Sequence, residues 1–209
     1  MRLGIFGGTF DPVHYGHLIL AESCREQLTL DQVWFLPAAV PPHKQDRELA
    51  DGEHRAEMIE LAISGHPALA VCRHEIELGG VNYTVETLDH FRREHPTAEL
   101  MFLMGADSLR DLPNWKEPAR ICTLATPVVV QRGGTHNPED DERDLAGLVD
   151  LIPPERLDAI RASRVDMPAI ELSSSDLRQR VAEGRSIRYR TPRAVEKYIE
   201  THGLYRKCG

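Results

Sequence analysis

Four stretches of this chain, residues 3–6, 32–36, 100–104 and 126–130, are almost wholly apolar and only four or five residues long. Each runs into glycine, proline or a polar residue. Strands of that kind are buried on both faces, which a half-solvated antiparallel sheet does not provide. Between them lie segments with helical spacing: Leu18, Leu20, Ala21, Cys24 and Leu28; then Met58, Leu61 and Ala62; then Val85, Leu88 and Phe91. Residues 69–72 read as a further strand. Strands alternating with helices predict an α/β fold, a Rossmann-like doubly wound parallel sheet with a small C-terminal helical extension. The 209 residues are read as one domain, with a core over about 1–170 and the extension over about 171–209.

The segment from Gly133 to Arg143 is turn-rich and acidic and reads as a surface loop. In the extension, Thr191 is expected to cap a helix whose first residue is Pro192, with Val195, Tyr198 and Ile199 as its buried side and Gly203 as its stop. Thr84 is likewise read as the cap or start of its helix.

Composition narrows the function classes. With 41% hydrophobic and 28% charged residues, the chain is neither a disordered tail nor a disulfide miniprotein. No apolar stretch is long enough to span a membrane, and the glycine-rich N-terminus does not read as a secretory signal. Cys24, Cys72, Cys122 and Cys208 form no CxxC pair and are expected to be reduced thiols in a cytoplasmic protein. The net charge of -8 argues against a nucleic-acid partner, which demands a basic face. Nothing in the sequence decides the oligomeric state, so a homo-oligomer stays open.

The strand ends carry the chemistry. In an open parallel sheet the ligand lies outside the carboxyl ends of the strands. Gly7-Gly8-Thr9, His43-Lys44 and Gly105-Ala106-Asp107-Ser108 all fall there. The first continues as Phe10-Asp11-Pro12-Val13-His14-Tyr15-Gly16-His17. Two glycines let backbone N–H groups approach a phosphate, and the helix that follows favours anions at its N-terminus. His14 and His17, three apart, share a helical face. Gly16 between them is read as leaving room for a ligand. Neither GxGxxG nor GxxxxGK occurs, so dehydrogenase and kinase readings lack their key residues. From Arg178 to Arg193 six arginines stand against one glutamate. Most of these are read as a solvated face. Arg178, close behind Ser173-Ser174-Ser175 at a helix start, makes a second candidate anion site. Trp115 offers an aromatic face on which a ligand ring could stack.

The string Gly-Gly-Thr-Phe-Asp-Pro-x-His-x-Gly-His resembles the signature of the nucleotidylyltransferase superfamily. Pro41-Pro42-His43-Lys44, Gly105-Ala106-Asp107-Ser108 with Leu112-Pro113-Asn114-Trp115, and Leu172-Ser173-Ser174-Ser175-Asp176-Leu177-Arg178 narrow the resemblance to bacterial nicotinate-mononucleotide adenylyltransferases. Leu172, Ser175 and Leu177 are mild departures from the family's Ile, Thr and Ile. Gly133-Gly134 after Arg132 replaces the usual Pro-Gly. The resemblance implies adenylyl transfer from ATP to nicotinate mononucleotide, giving deamido-NAD and pyrophosphate in NAD biosynthesis. Nicotinamide mononucleotide or phosphopantetheine is the alternative acceptor, and a nucleotide-binding regulator the non-enzymatic alternative.

In that reading His14, His17, Lys44 and Arg178 are catalytic. Gly7, Gly8, Thr9, Phe10, Gly16, Gly105, Asp107, Arg132, Ser173 and Ser174, with His14, His17 and Arg178, bind ATP. His43, Lys44, Thr84 and Trp115 bind the pyridine mononucleotide. Mg²⁺ accompanies ATP, held chiefly by substrate phosphates with no protein cage.

Overall fold

The computed structural model describes residues 1–40, 49–133 and 138–206. His43, Lys44, Gly134 and Cys208 therefore lie outside the described residues, as does the side chain of Arg132. Six strands, β1 (Arg2–Gly8), β2 (Gln32–Pro37), β3 (Leu69–Val71), β4 (Glu99–Gly105), β5 (Thr126–Arg132) and β6 (Val165–Met167), form one sheet in the order β3-β2-β1-β4-β5-β6. Every pairing is parallel. The helices are α1 (Tyr15–Gln27), α2 (Gly52–Ile63), α3 (His74–Leu78), α4 (Thr84–Glu94), α5 (Ala106–Asp111), α6 (Pro118–Leu124), α7 (Pro138–Leu145), α8 (Pro154–Ala162), α9 (Ser174–Ala182) and α10 (Arg193–His202). No helix among the described residues is long and apolar enough to cross a membrane.

Alternation along the strands gives the sheet two cores. Leu100, Phe102 and Met104 of β4 join Leu3 and Ile5 of β1 against Val85, Leu88 and Phe91 of α4. Met101 and Leu103 point the other way, into a cluster with Leu20, Ala21 and Cys24 of α1 and Val195 and Ile199 of α10. The expected doubly wound α/β fold is present. The strand order reverses between β1 and β4, so the crevice for a ligand lies beyond Gly8 and Gly105.

Two local expectations are corrected. The stretch read as a loop from Gly133 to Arg143 contains the start of α7, whose last turn buries Asp144 and Leu145. Arg110 donates to Asp144 at 2.7 Å, and Arg164 lies 3.5 Å from the same carboxylate. A buried carboxylate met by two arginines is a tertiary reason for helix that local composition does not show. The strand at 126–130, β5, is the last central strand of the sheet, and β6 pairs beyond it as the edge strand. The cap of α10 is Pro192, and Thr191 is buried with its hydroxyl donating to the Val13 carbonyl at 2.7 Å. Thr84 starts α4, one of the two positions read for it, and the cap is Tyr83. The Gly203 stop is left-handed at φ 64°, and Cys24, Cys72 and Cys122 are free thiols, as expected.

Gly4 shows how tightly the central strand is set. A Cβ there would stand 2.8 Å from Leu30 Cδ1 and 3.1 Å from Val33 Cγ2, both buried. Gly4→Ala is expected to destabilise the fold by about 1–3 kcal/mol through overpacking. A lower urea midpoint at unchanged slope would show it; an unaltered midpoint would refute it.

Candidate active site

β1 ends in Gly7-Gly8, and the chain then bends through Thr9–Val13 into α1. Phe10 takes a positive φ of 50° and folds its ring under Gly8, where an added Cβ would lie 2.8 Å from Phe10 Cζ. That ring is 2% exposed and packs against Phe6, Phe35 and His17. Phe10 was expected at ATP, but its side chain props the turn from below.

Five carbonyls of the turn are met by a donor from elsewhere. Gly8 O accepts from Ala38 N at 3.0 Å, and Thr9 O from Arg55 Nη1 at 2.9 Å. Asp11 O accepts from Arg178 Nη1 at 2.7 Å, Pro12 O from Ser174 Oγ at 2.9 Å and Val13 O from Thr191 Oγ1 at 2.7 Å. The N–H of Tyr15 in turn donates to Arg190 O at 3.1 Å. Charged and hydroxyl donors on otherwise unmatched carbonyls hold such a bend in one shape. The buried Asp11 carboxylate adds a bond from Tyr205 Oη at 2.5 Å and an ion pair to Arg178 at 3.6 Å. Burial next to Asp11 pushes the Tyr205 phenol far up, so it stays a donor.

His14 and His17 are brought face to face, ring centroids 3.7 Å apart and planes 15° from parallel. The backbone N–H of His14 donates to His17 Nδ1 at 3.2 Å. In a neutral ring this places the His17 proton on Nε2. Gly16 has its reason in the protein itself: a Cβ would come within 3.1 Å of the His14 ring.

Two cavities meet at Gly7, Phe102 and Trp115. The larger, about 360 Å³, is lined by Gly8, Thr9, Thr84, Thr87 and Glu75 together with apolar side chains of β1, β2 and α4. The smaller, about 190 Å³, is lined by His14, Gly16, His17, Gly105, Ser108 and Ile170. At Gly105 a Cβ would meet nothing within 4 Å, so this strand end is open. The Trp115 indole is held by a bond from Nε1 to Asp111 Oδ2 at 3.0 Å and by an edge contact with Phe102.

Most of the residues singled out in the sequence thus converge: Gly7, Gly8, Thr9, Thr84 and Trp115 on one cavity, and His14, Gly16, His17 and Gly105 on the other. Ser173 caps α9 through Asp176 N at 3.1 Å, and Ser174 and Arg178 donate to carbonyls of the turn. Asp107 stands apart from both cavities; its side chain is almost fully exposed and paired with Arg110. Arg55 and Glu75 escaped sequence reasoning. For Arg55 a signal existed, a cation on the same helical stripe as Met58 and Ile59. For Glu75 none did, since a five-residue helix has no readable period. Among the described residues, no group of three or more His, Cys, Asp or Glu is placed to hold a metal ion.

The fold and the site together define a nucleotide-handling α/β protein, with a braced glycine turn at the sheet's switch point. The cytidylyltransferase-like family model matches residues 5–180. A protein of Thermomicrobium roseum named "probable nicotinate-nucleotide adenylyltransferase" is 49% identical over 98% of this chain and 92% of its own length. One of the same name from Thermus thermophilus is 44% identical over 99% of this chain and all of its own. Among solved structures, Plasmodium falciparum nicotinic acid mononucleotide adenylyltransferase complexed with NaAD has a TM-score of 0.72, with 98% of this chain and 97% of that one covered at 18% identity. The chain belongs to the cytidylyltransferase-like family and, within it, to the nicotinate-nucleotide adenylyltransferases.

Glu75 yields a stability test. It is 7% exposed and accepts from Thr87 Oγ1 at 2.8 Å. Burial pushes its carboxyl up, against the smaller opposing effect of the Thr87 bond. The folded state therefore keeps this proton to higher pH than the unfolded chain, and its contribution to stability is lost as pH rises through the raised value. Glu75→Gln keeps an acceptor for Thr87. It should melt above the wild type at about pH 8, with the gap closing toward about pH 4. Melting curves at both pH values check this, and a gap that does not change with pH would count against it.

Proposed function

We propose that the chain transfers the adenylyl group of ATP to nicotinate mononucleotide, forming nicotinate adenine dinucleotide and pyrophosphate in NAD biosynthesis. The observation that carries this reading is the meeting of the two cavities at Gly7. One has an indole wall and a hydroxyl at Thr84, fit for a pyridine ring. The other has the histidine pair and an open strand end, fit for ATP.

A phosphate oxygen of the mononucleotide attacks the α-phosphorus of ATP, and the bond from that phosphorus to the bridging oxygen of the β-phosphate breaks. The nucleophile is already anionic, so no general base is needed and catalysis is positioning and charge neutralisation. His17 is assigned to donate from Nε2 to the phosphate oxygens as charge develops there, with His14 stacked on it. The N–H groups of Gly8 and Thr9 and the start of α1 supply further positive potential. Lys44 and His43 are assigned to the mononucleotide phosphate on the sequence alone. Arg178 and the start of α9 are assigned to the leaving phosphates. Gly105 supplies room at the adenosine side. The histidines, hydroxyls and N–H groups of the site suit phosphate and not a bare cation, so Mg²⁺ is assigned to travel on the ATP phosphates and neutralise them.

A second acceptor is favoured by one observation. Glu75 lines the larger cavity, and an ionised carboxylate would accept from an amide and repel a ring carboxylate. Burial acts in the opposite direction, toward the neutral acid, which tolerates the nicotinate form.

Purified protein with Mg²⁺, ATP and each mononucleotide in turn is expected to release pyrophosphate faster with nicotinate than with nicotinamide mononucleotide. No release with either would end the enzymatic reading. His17→Ala should lower kcat by about 10²–10³-fold with its melting temperature unchanged, the loss typical of one transition-state donor; near-normal turnover refutes its role. Trp115→Ala should raise KM for the mononucleotide by about fivefold or more while KM for ATP stays put, as expected from losing a stacked cation–π contact. Equal shifts in both KM values would remove Trp115 from the pyridine cavity.

A further inference from the structure

Arg55 is 1% exposed, a fully buried cation on α2. Its guanidinium donates to three main-chain carbonyls: Nη1 to Thr9 O at 2.9 Å, Nη2 to Ala39 O at 3.0 Å and Nε to Ala50 O at 2.9 Å. These belong to three different parts of the chain. Thr9 is in the glycine turn, Ala39 follows β2, and Ala50 precedes α2. Ala50 is gripped from both sides, since its own N–H donates to Asp11 Oδ1 at 3.3 Å. Ala38 N meets Gly8 O at 3.0 Å. One planar group therefore sets the spacing between the turn and both ends of the connection from β2 to α2.

Stability is a poor reason for this arrangement. Burying a cation costs free energy that a methionine or leucine of similar volume would avoid. Burial works against the charged form of Arg55, and the Asp11 carboxylate is the foremost charge supporting it. What a guanidinium offers, and an apolar side chain cannot, is a rigid fork of donors with fixed directions. The geometry also has a consequence on the cleft side. A trans peptide directs its C=O and N–H to opposite sides. Holding the Thr9 carbonyl toward Arg55 thus turns the Phe10 N–H away from it.

Resting on the reaction proposed above, we infer that Arg55 is a positioning residue for adenylyl transfer. It touches neither substrate; it aims the backbone donors of the glycine turn at the ATP phosphates and fixes their distance from the chain on the other side of the cleft. Misplacement of a reacting group by about an ångström can cost about 10²-fold in rate. Loss of the fork should therefore show in kcat more than in substrate affinity.

The experiment compares wild type with Arg55→Lys and Arg55→Met, measuring pyrophosphate release, both KM values and thermal melting. Lysine keeps the charge but has one ammonium in place of the fork; methionine keeps much of the volume. In Arg55→Lys, kcat is expected to fall by about tenfold or more while each KM moves by less than about threefold. Arg55→Met should lose more, and if it does not fold, the lysine variant carries the test. An active wild type with Arg55→Lys turning over at the same rate would overturn the inference alone. So would a loss of kcat that follows the unfolded fraction and vanishes at a temperature where the variant is fully folded. A wild type that releases no pyrophosphate overturns the reaction itself, and that outcome is read from the control before any variant is compared.

Discussion

Everything at the mouth of this sheet depends on what happens to the carbonyl oxygens after β1. A chain leaving a buried strand must satisfy its peptide groups without a ladder partner. Here Gly8, Thr9, Asp11, Pro12 and Val13 hand their carbonyls to Ala38, Arg55, Arg178, Ser174 and Thr191. The donors come from the loop after β2 and from α2, α9 and the approach to α10. The bend is thus the point where four parts of the chain are tied together. Two of the donors are guanidinium groups, and the bonds they make are the stronger for their charge.

In the proposed reaction, the same arrangement lets an acidic chain hold a triphosphate. The net charge of -8 is an average over the whole sequence. Near the turn, Arg55 and Arg178 share the buried Asp11 carboxylate, while the start of α1 and the histidine pair add partial positive charge. Carbonyls held this way turn the N–H groups of Thr9, Phe10 and Val13 to the opposite edges of their peptides. The potential that the proposed reaction needs at the phosphates comes from oriented backbone as much as from formal charge, which a count of residues cannot register.

What could be read from the sequence divides along that line. The strands at 3–6, 32–36, 100–104 and 126–130, the two glycines and the histidine pair were legible because period and local chemistry announce them. The structure stacks the predicted His14 and His17, and sets Thr84 and Trp115 around one cavity. The remainder was decided by distant partners. Thr191 looks like a helix cap until its hydroxyl finds Val13 across 178 residues. Residues 138–143 look like loop until two arginines meet the Asp144 carboxylate that ends their helix. Phe10 reads as part of a ligand motif, yet its ring belongs to the core under Gly8. Arg55 was visible only as a charge out of place on an apolar stripe.

The C-terminal part belongs to this site more closely than its position in the chain implies. The family model ends at residue 180. Beyond it, Arg190 accepts from Tyr15 N, Thr191 donates to Val13 O, and Tyr205 donates to Asp11 Oδ1. Tyr198 of α10 reaches across to Glu57 and His54 of α2, the helix that carries Arg55. The tail therefore touches both the turn and the element that braces it. Removing its donors would leave the Val13 carbonyl and the Asp11 carboxylate buried with fewer partners, which is costly where water does not enter. By that reasoning the segment from Arg190 to Tyr205 is part of the frame that shapes the bend after β1.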